Sequence, residues 1–213
     1  MKKKLAILGS TGSIGKSTIS VIKKNKKDFD IQLLSTNKNI KQLNIQYKKF
    51  KPKYIVIKNF KSYIKFKEKN KNIKAQIFND YNFLKKKIKV KFDFTISAIS
   101  GFEGLEPTLK IIPHTKTIAI ANKESLICAW NLIQSKLNNS KTKFIPIDSE
   151  HFSIWSLIKN NNYNIDKIFI TASGGPFLTK NINQLKKITP YQAIKHPKWN
   201  MGKKISIDSA TMI

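Results

Sequence analysis

The sequence contains no arginine and one cysteine, Cys128, among its 213 residues. A single cysteine excludes an internal disulfide and is typical of a protein from a reducing compartment. No apolar run approaches the roughly 20 residues that a membrane-spanning helix needs. The apolar run Leu5–Leu8 that follows the basic start is too short for a signal peptide. We therefore expect a cytoplasmic protein with no membrane partner.

Acidic residues are also scarce, since 12 of them stand against 41 lysines and give a formal net charge of +29. Such a charge can indicate nucleic-acid binding. However, the lysines are spread along the whole chain, and arginine is the residue preferred for bidentate phosphate and guanine contacts. Lysine, asparagine, isoleucine and phenylalanine are abundant together, which is typical of an AT-rich coding bias acting on solvated surfaces. We expect no nucleic-acid partner.

Short apolar runs alternate with helical spacing through the first 147 residues, which predicts a doubly wound parallel sheet of the Rossmann type. The predicted strands are Lys4–Leu8, Ile31–Leu34, Tyr54–Ile57, Ala75–Phe78, Phe94–Ala98 and Thr117–Ala121. The predicted helices are Lys16–Lys24, Ile40–Phe50, Tyr63–Asn70, Tyr81–Lys87 and Thr108–Ile112.

The pattern changes near residue 144. Strands are predicted at Phe144–Ile147, Lys167–Thr171 and Lys204–Ile207, with a helix at Phe152–Lys159. We expect a dinucleotide-binding domain over residues 1–147 and part of a second α/β domain over residues 148–213.

A glycine-rich turn, GSTGSIG, lies between the first strand and the first helix. Glycines at this point allow a tight turn, a close backbone approach to a diphosphate and close helix–strand packing. The alternative is a glycine turn with no ligand. The residues that we expect to bind a dinucleotide here are Gly9, Ser10, Thr11, Gly12, Ser13, Ile14 and Gly15.

The end of the second strand decides which dinucleotide fits. An NAD-binding protein usually offers an acidic residue there to the ribose hydroxyls. This chain has Asn37, Lys38 and Asn39 instead, with no acid. A cation in a small polar loop favours the 2′-phosphate of NADP(H).

Two segments after later strands carry side chains suited to catalysis. Asn122, Lys123 and Glu124 follow a strand and could orient a nicotinamide and a polar substrate, although a capped helix start is equally consistent. In an extended chain Asp148 and Glu150 would share one face and suit Mg²⁺ or Mn²⁺. The alternative is an N-cap pair for the following helix, since Asp and Ser are good caps.

A third set lies further along the chain. The Ser173-Gly174-Gly175 turn could form a backbone nest for a phosphate, and His196 and Ser209 could converge on it. Trp199 and Met201 would form an apolar cover that excludes water.

Five motifs together closely resemble the 1-deoxy-D-xylulose-5-phosphate reductoisomerases: GSTGSIG, ANKES, PIDSEH, TASGGPF and TPYQAIKHPKWNMGKKISIDSATM. The segment GFEGLEPT also resembles that family's GxxGLxPT. The resemblance implies NADPH as cofactor, a divalent cation (Mg²⁺ or Mn²⁺), 1-deoxy-D-xylulose 5-phosphate as substrate and a homodimer in the complete enzyme. It implies a rearrangement of the substrate skeleton followed by reduction of the resulting aldehyde to 2-C-methyl-D-erythritol 4-phosphate.

The resemblance also implies a role for each matching residue. Catalysis is assigned to Asp148, Glu150 and Lys123, and the metal to Asp148 and Glu150. Substrate contacts are assigned to Lys123, Ser149, Glu150, Ser173, His196 and Ser209. Further cofactor contacts are assigned to Asn122, Glu124 and Gly202, and the flap to Trp199 and Met201.

The chain departs from the family at two points. Asn37 stands where the family often has glycine. The family also continues after SATM with an Asn-Lys-Gly-Leu-Glu segment that supplies a third metal ligand, whereas this sequence stops at Ile213. We expect a truncated chain whose second, catalytic domain is incomplete, which binds NADPH and turns over poorly or not at all.

Overall fold

Seven parallel strands form one sheet in the amino-terminal part of the chain. The computed structural model describes residues 1–159, 164–171, 173–198, 200, 202–203 and 206–207. The strands are β1 (Lys3–Leu8), β2 (Phe29–Thr36), β3 (Tyr54–Ile57), β4 (Gln76–Phe78), β5 (Phe92–Ser97), β6 (Thr115–Ile120) and β7 (Lys143–Pro146). The helices around them are α1 (Ser13–Lys24), α2 (Ile40–Phe50), α3 (Phe60–Lys69), α4 (Phe83–Lys87), α5 (Leu105–Ile111), α6 (Lys123–Ser140) and α7 (Ser149–Ile158).

The strand order is β4-β3-β2-β1-β5-β6-β7. The chain therefore winds outward from β1 to β4, returns to the other side of β1 as β5, and winds outward again. In register, Leu5 lies beside Ile31 of β2 and Phe94 of β5. The gap between the ends of β1 and β5 is the topological switch point, where open α/β sheets bind ligands.

Both faces of the sheet are covered, which explains why β1 is a continuous apolar run rather than an alternating one. Ala6 and Leu8 pack on one face against α4, α5 and α6. Leu5 and Ile7 pack on the other face with Ile22 of α1 and further residues of α2 and α3. The prediction of a doubly wound parallel α/β sheet is confirmed.

The chain divides into two compact units, residues 1–155 and 156–213. The expected domain boundary after residue 147 stays a prediction. The second unit contains the end of α7, the short helices α8 (Ile182–Leu185) and α9 (Pro190–Ala193), and a 3₁₀ turn at Gly175–Phe177. None of the helices in the described ranges is long and apolar enough to cross a membrane.

Two predicted strands differ from the structure. Residues 167–171 form neither strand nor helix, because no described strand takes up their backbone hydrogen bonds, and Phe169 is 82% exposed. In the segment predicted as a strand at Lys204–Ile207, Ser206 and Ile207 are helical, and the Ser206 N–H donates to the Gly202 carbonyl at 3.0 Å. Residues 204 and 205 lie outside the described residues.

Candidate functional site

The glycine turn after β1 is shaped by two backbone contacts that leave no room for a side chain. Gly9 has φ +76°, and a Cβ there would lie 2.6 Å from the Ala98 carbonyl oxygen at the end of β5. A Cβ on Gly15 would strike the Gly9 carbonyl and lie 2.6 Å from Ser10 Cα. Gly9 therefore lets the turn lie against β5 at the switch point, and Gly15 lets α1 start directly against the turn.

Gly12 serves a different purpose. It is the N-cap of α1 with φ −74°, it provides no side-chain cap, and the first turn of the helix contains no acidic residue. A Cβ on Gly12 would lie 3.4 Å from the nearest protein atom, the Gly9 carbonyl oxygen, which is an ordinary van der Waals distance. The first N–H groups of α1, including those of Ser13 and Ile14, have no intrahelical acceptor and are placed to bind an anion.

Ser10 does not face the cleft beside this turn. It is fully buried, and its Oγ donates to Gln46 Oε1 at 2.7 Å while Gln46 Nε2 donates to the Ser10 carbonyl at 2.8 Å. Ser10 thus fixes the turn to α2. The sequence analysis missed Gln46, although a signal was available: it is the one buried polar side chain on the inward face of α2, one turn after Leu43.

A cleft of about 1050 Å³ opens above the carboxyl ends of β1, β2, β3 and β5. Of the loop residues predicted to bind cofactor, Gly9, Thr11 and Gly12 line it, and so do Asn37 and Lys38. Ser13, Ile14, Gly15 and Asn39 lie beside it without lining it, and Asn39 caps α2 by accepting from the Gln42 N–H. This volume is at the upper limit of the range for small-molecule sites.

The charges in the cleft distinguish Lys38 from its neighbours. Glu106 of α5 accepts from Lys110 Nζ at 2.6 Å and lies 3.9 Å from Lys58 Nζ. The hydrogen bond from Lys110, with the charges of Lys110 and Lys58, lowers the pKa of the Glu106 carboxyl. Lys38 contacts no acidic group in the part of the chain that the structure describes. The Lys38 ammonium is therefore available to bind an anionic ligand in the cleft.

Asn122 lies at the end of β6 and is only 2% exposed. Its Oδ1 accepts from the Ser125 N–H at 2.7 Å and so caps α6. Its Nδ2 donates to the carbonyls of Ile99 and Gly101, the latter at 2.6 Å. The capped helix start is thus present, and Asn122 also holds the loop after β5. Lys123 and Glu124 follow in the first turn of α6, half-buried, at the same edge of the sheet.

Asp148 and Glu150 follow β7 at this edge too, but not as an extended chain. Ser149 begins α7 and Glu150 lies exposed in its first turn. Asp148 Oδ1 accepts from the His151 N–H at 2.8 Å and lies 2.6 Å from His151 Nδ1. The extended-strand argument for a shared face was wrong, because Asp148 caps the helix. Their role as metal ligands stays a prediction.

In the second unit the structure brings Ser173 and His196 together. His196 Nδ1 accepts from the Lys198 N–H at 3.1 Å, so Nε2 carries the proton of the neutral ring and donates to Ser173 Oγ at 3.0 Å. Gly174 and Gly175 have φ +71° and +59°. Beside His196 lies a pocket of about 510 Å³ that Lys198 and Ser206 also line.

Four further predicted residues remain, of which the structure describes one. Gly202 is exposed, and a Cβ there would meet no atom within 4 Å. Ser209 lies outside the described residues, as do the predicted flap residues Trp199 and Met201.

Comparison with known proteins agrees with this arrangement. The family model of 1-deoxy-D-xylulose 5-phosphate reductoisomerase matches residues 5–130, and the model of that enzyme's C-terminal domain matches residues 144–213. The chain belongs to the 1-deoxy-D-xylulose 5-phosphate reductoisomerase family. The resemblance predicted from the five motifs is confirmed.

Individual reductoisomerases align along nearly the whole chain. The enzyme of Pelagibacter ubique is 52% identical over 99% of this chain and 55% of its own length. A reductoisomerase structure from Zymomonas mobilis in complex with NADPH superposes with a TM-score of 0.85 at 36% identity, covering 100% of this chain and 55% of that one. Another, in complex with NADPH, fosmidomycin and magnesium, gives 0.81 at 34% identity, covering 99% and 55%. The chain thus spans about half the length of the reductoisomerases it matches.

Those reductoisomerase structures contain NADPH and magnesium. The residues of this chain fit the two groups to different degrees. For a dinucleotide, the uncrowded Gly12 and the uncapped N–H groups of α1 form a cradle that a side chain would fill. For magnesium, Asp148 and Glu150 offer oxygen donors of the right type. However, no three His, Cys, Asp or Glu side chains cluster within the described ranges, so these two carboxylates would hold a cation only with further ligands.

Proposed function

We propose that this chain supplies the NADPH site and part of the metal and substrate site of a 1-deoxy-D-xylulose 5-phosphate reductoisomerase. The reaction converts 1-deoxy-D-xylulose 5-phosphate to 2-C-methyl-D-erythritol 4-phosphate in the non-mevalonate isoprenoid pathway. The observation that carries the proposal is the cleft at the switch point, where Gly12 presents uncapped helix N–H groups at the position where this fold binds a diphosphate.

In the proposed complex, the start of α1 would hold the NADPH diphosphate, with the N–H groups of Ser13 and Ile14 as donors and Gly12 leaving room for its approach. The adenosine half extends over the end of β2, where Asn37 and Lys38 line the cleft. Lys38 has no acidic partner among the described residues and would contact the 2′-phosphate, so NADPH should bind more tightly than NADH. The nicotinamide half would then extend toward β5 and β6, where Asn122 and Glu124 lie.

The residues that we propose for metal and substrate binding begin with those at the ends of β6 and β7. Asp148 and Glu150 would hold Mg²⁺ or Mn²⁺, which supplies Lewis-acid polarisation of substrate oxygens when bound. Lys123, at the same sheet edge, would attract the anionic substrate, with Ser149 nearby. Ser173, His196 and Ser209 would contact its phosphate, and the hydrogen bond from His196 Nε2 to Ser173 supports the pairing of the first two.

A second candidate function is NADPH binding without turnover. It is supported by the metal donors, because no group of three or more His, Cys, Asp or Glu side chains that could hold a metal occurs in the described ranges. A divalent cation prefers six or more oxygen ligands, so such a site would hold it weakly.

Calorimetric titration of the 213-residue chain with NADPH and NADH tests both candidates. We expect saturable binding with NADPH preferred, and a Lys38→Ala variant that loses the preference while keeping its affinity for NADH. NADPH oxidation that requires both Mg²⁺ and 1-deoxy-D-xylulose 5-phosphate would assign the whole reaction to this chain. Binding without oxidation would assign the second candidate, and absence of NADPH binding would overturn both.

The proposal also includes an oligomeric state and a cellular location. A homodimer is supported by the family resemblance, and sedimentation analysis would test it. A cytoplasmic location is supported by the single cysteine, Cys128, which is a free and exposed thiol.

A further inference from the structure

Tyr81 carries a buried hydroxyl with no hydrogen-bond partner among the described residues. The side chain is 1% exposed and belongs to the core cluster that also contains Leu8 and Phe83. A buried polar group without a partner is destabilising, and native proteins seldom leave one without a reason.

The buried hydroxyl lies next to side chains that line the large cleft. Tyr81 forms part of the floor of the large cleft, together with Ser35 and Glu106. Ser35 Oγ already accepts from the Gly9 N–H at 2.9 Å, and the Glu106 carboxylate is held by Lys110. The Ser35 hydroxyl lies near that of Tyr81 without reaching hydrogen-bond geometry. The Tyr81 hydroxyl is therefore enclosed beside two side chains that line the cleft, and its hydrogen-bonding capacity is not used by the described residues.

The ionisation state of Tyr81 fixes what it can offer. Burial raises the pKa of the phenol far above its ordinary value, and the Glu106 charge adds to this, while the Ser35 hydroxyl opposes it. The group therefore remains an O–H at any physiological pH and can donate a hydrogen bond.

Its position in the sheet indicates which half of a dinucleotide would accept that bond. Ser35 lies near the end of β2, and in this fold the end of β2 reads the adenosine ribose, whereas the diphosphate lies at the turn after β1. We propose that the Tyr81 hydroxyl donates a hydrogen bond to the adenosine half of the bound dinucleotide, to a group that NADPH and NADH share. This inference rests on the proposed function.

A Tyr81→Phe variant of the 213-residue chain tests the inference, titrated with NADPH and with NADH. We expect both affinities to fall about 3- to 10-fold, the range for one neutral hydrogen bond. The Tm of the ligand-free variant should be unchanged or raised, because an unpaired buried hydroxyl has been removed. Tyr54→Phe is the matched control. It removes a hydroxyl from the same core, but that hydroxyl donates to the Lys87 carbonyl at 3.5 Å, away from the cleft. Its affinities should match those of the wild type.

Each contrary outcome has a distinct meaning. Wild-type binding with an unchanged Tyr81→Phe affinity would overturn this inference and leave the proposed function intact. A loss confined to NADPH would place the hydroxyl at the 2′-phosphate and overturn the assignment to the shared adenosine. A lower Tm of the ligand-free variant would show that the hydroxyl has an internal partner, which also overturns the inference. Absence of NADPH binding by the wild type would overturn the proposed function and this inference together.

Discussion

Gly12 and Gly15 lie three residues apart in the same turn, and alanine at each should have opposite consequences. At Gly15 the added Cβ would strike the Gly9 carbonyl and lie 2.6 Å and 2.7 Å from Ser10 Cα and C. These are backbone atoms that no rotamer change can move. Overpacking of this kind destabilises by about 1–3 kcal/mol, and contacts with backbone place Gly15→Ala at the upper end of that range. Since about 1 kcal/mol shifts the Tm of a domain of this size by roughly 2–4 °C, the Tm should fall by about 6–12 °C.

At Gly12 the added Cβ would have 3.4 Å to its nearest neighbour, and φ of −74° suits alanine. The folded chain should therefore lose at most about 1 kcal/mol, the difference between glycine and alanine at an N-cap. The methyl group would, however, occupy the place where we propose that the NADPH diphosphate approaches the helix N–H groups. Loss of charge-assisted hydrogen bonds worth about 1.5–3 kcal/mol corresponds to roughly a 10- to 100-fold weaker affinity for NADPH.

Denaturant unfolding and calorimetric titration of the two variants separate these effects. Gly15→Ala should lose stability, and Gly12→Ala should lose NADPH affinity while remaining folded. If Gly15→Ala unfolds like the wild type, the reasoning about helix packing at the turn is refuted. If Gly12→Ala binds NADPH like the wild type, the diphosphate does not lie where we propose.

Three further predictions concern stability, each measured by denaturant unfolding. Gln46→Ala removes the donor to the buried Ser10 carbonyl and leaves Ser10 Oγ with the Ser35 carbonyl at 3.1 Å, so it should lose about 1–3 kcal/mol. Gln42→Ala on the same helix should lose less than about 1 kcal/mol, and equal losses in the two variants would contradict the turn–α2 contact. Asn122→Ala removes a cap and two carbonyl contacts and should also lose about 2–4 kcal/mol, so a loss under about 1 kcal/mol would contradict its double role. Asp93→Asn should lose less than about 1 kcal/mol near neutral pH. The pKa of the Asp93 carboxyl is lowered from 3.8, chiefly by its hydrogen bond from a lysine, so its stabilisation is present above pH 3.8 and disappears as the pH falls through the lowered value. A deficit that persists in strong acid would contradict this.

The parts of the fold that follow from local pattern could be predicted from the sequence. The apolar run Lys4–Leu8, the turn after it and the helix behind Gly15 are adjacent in the chain, so composition and spacing suffice to place them. The alternation of strands and helices similarly predicted the parallel sheet, because a crossover connection requires that order.

The parts that depend on contacts between distant residues could not be predicted in the same way. Tyr81 follows β4, whereas its neighbours in the cleft, Ser35 and Glu106, belong to β2 and α5, which are distant from it in the chain. The error at Asp148 has a local cause. The sequence Asp-Ser-Glu-His is compatible both with an extended strand and with a helix start. The hydrogen bond that Asp148 Oδ1 accepts from the His151 N–H favours the helix start.

A crystal structure of the 213-residue chain with NADPH tests the central claim most directly. The account predicts the diphosphate over Gly12 at the start of α1, with the 2′-phosphate beside Lys38 at the end of β2. A cofactor bound away from the turn after β1, or a 2′-phosphate distant from Lys38, would contradict it.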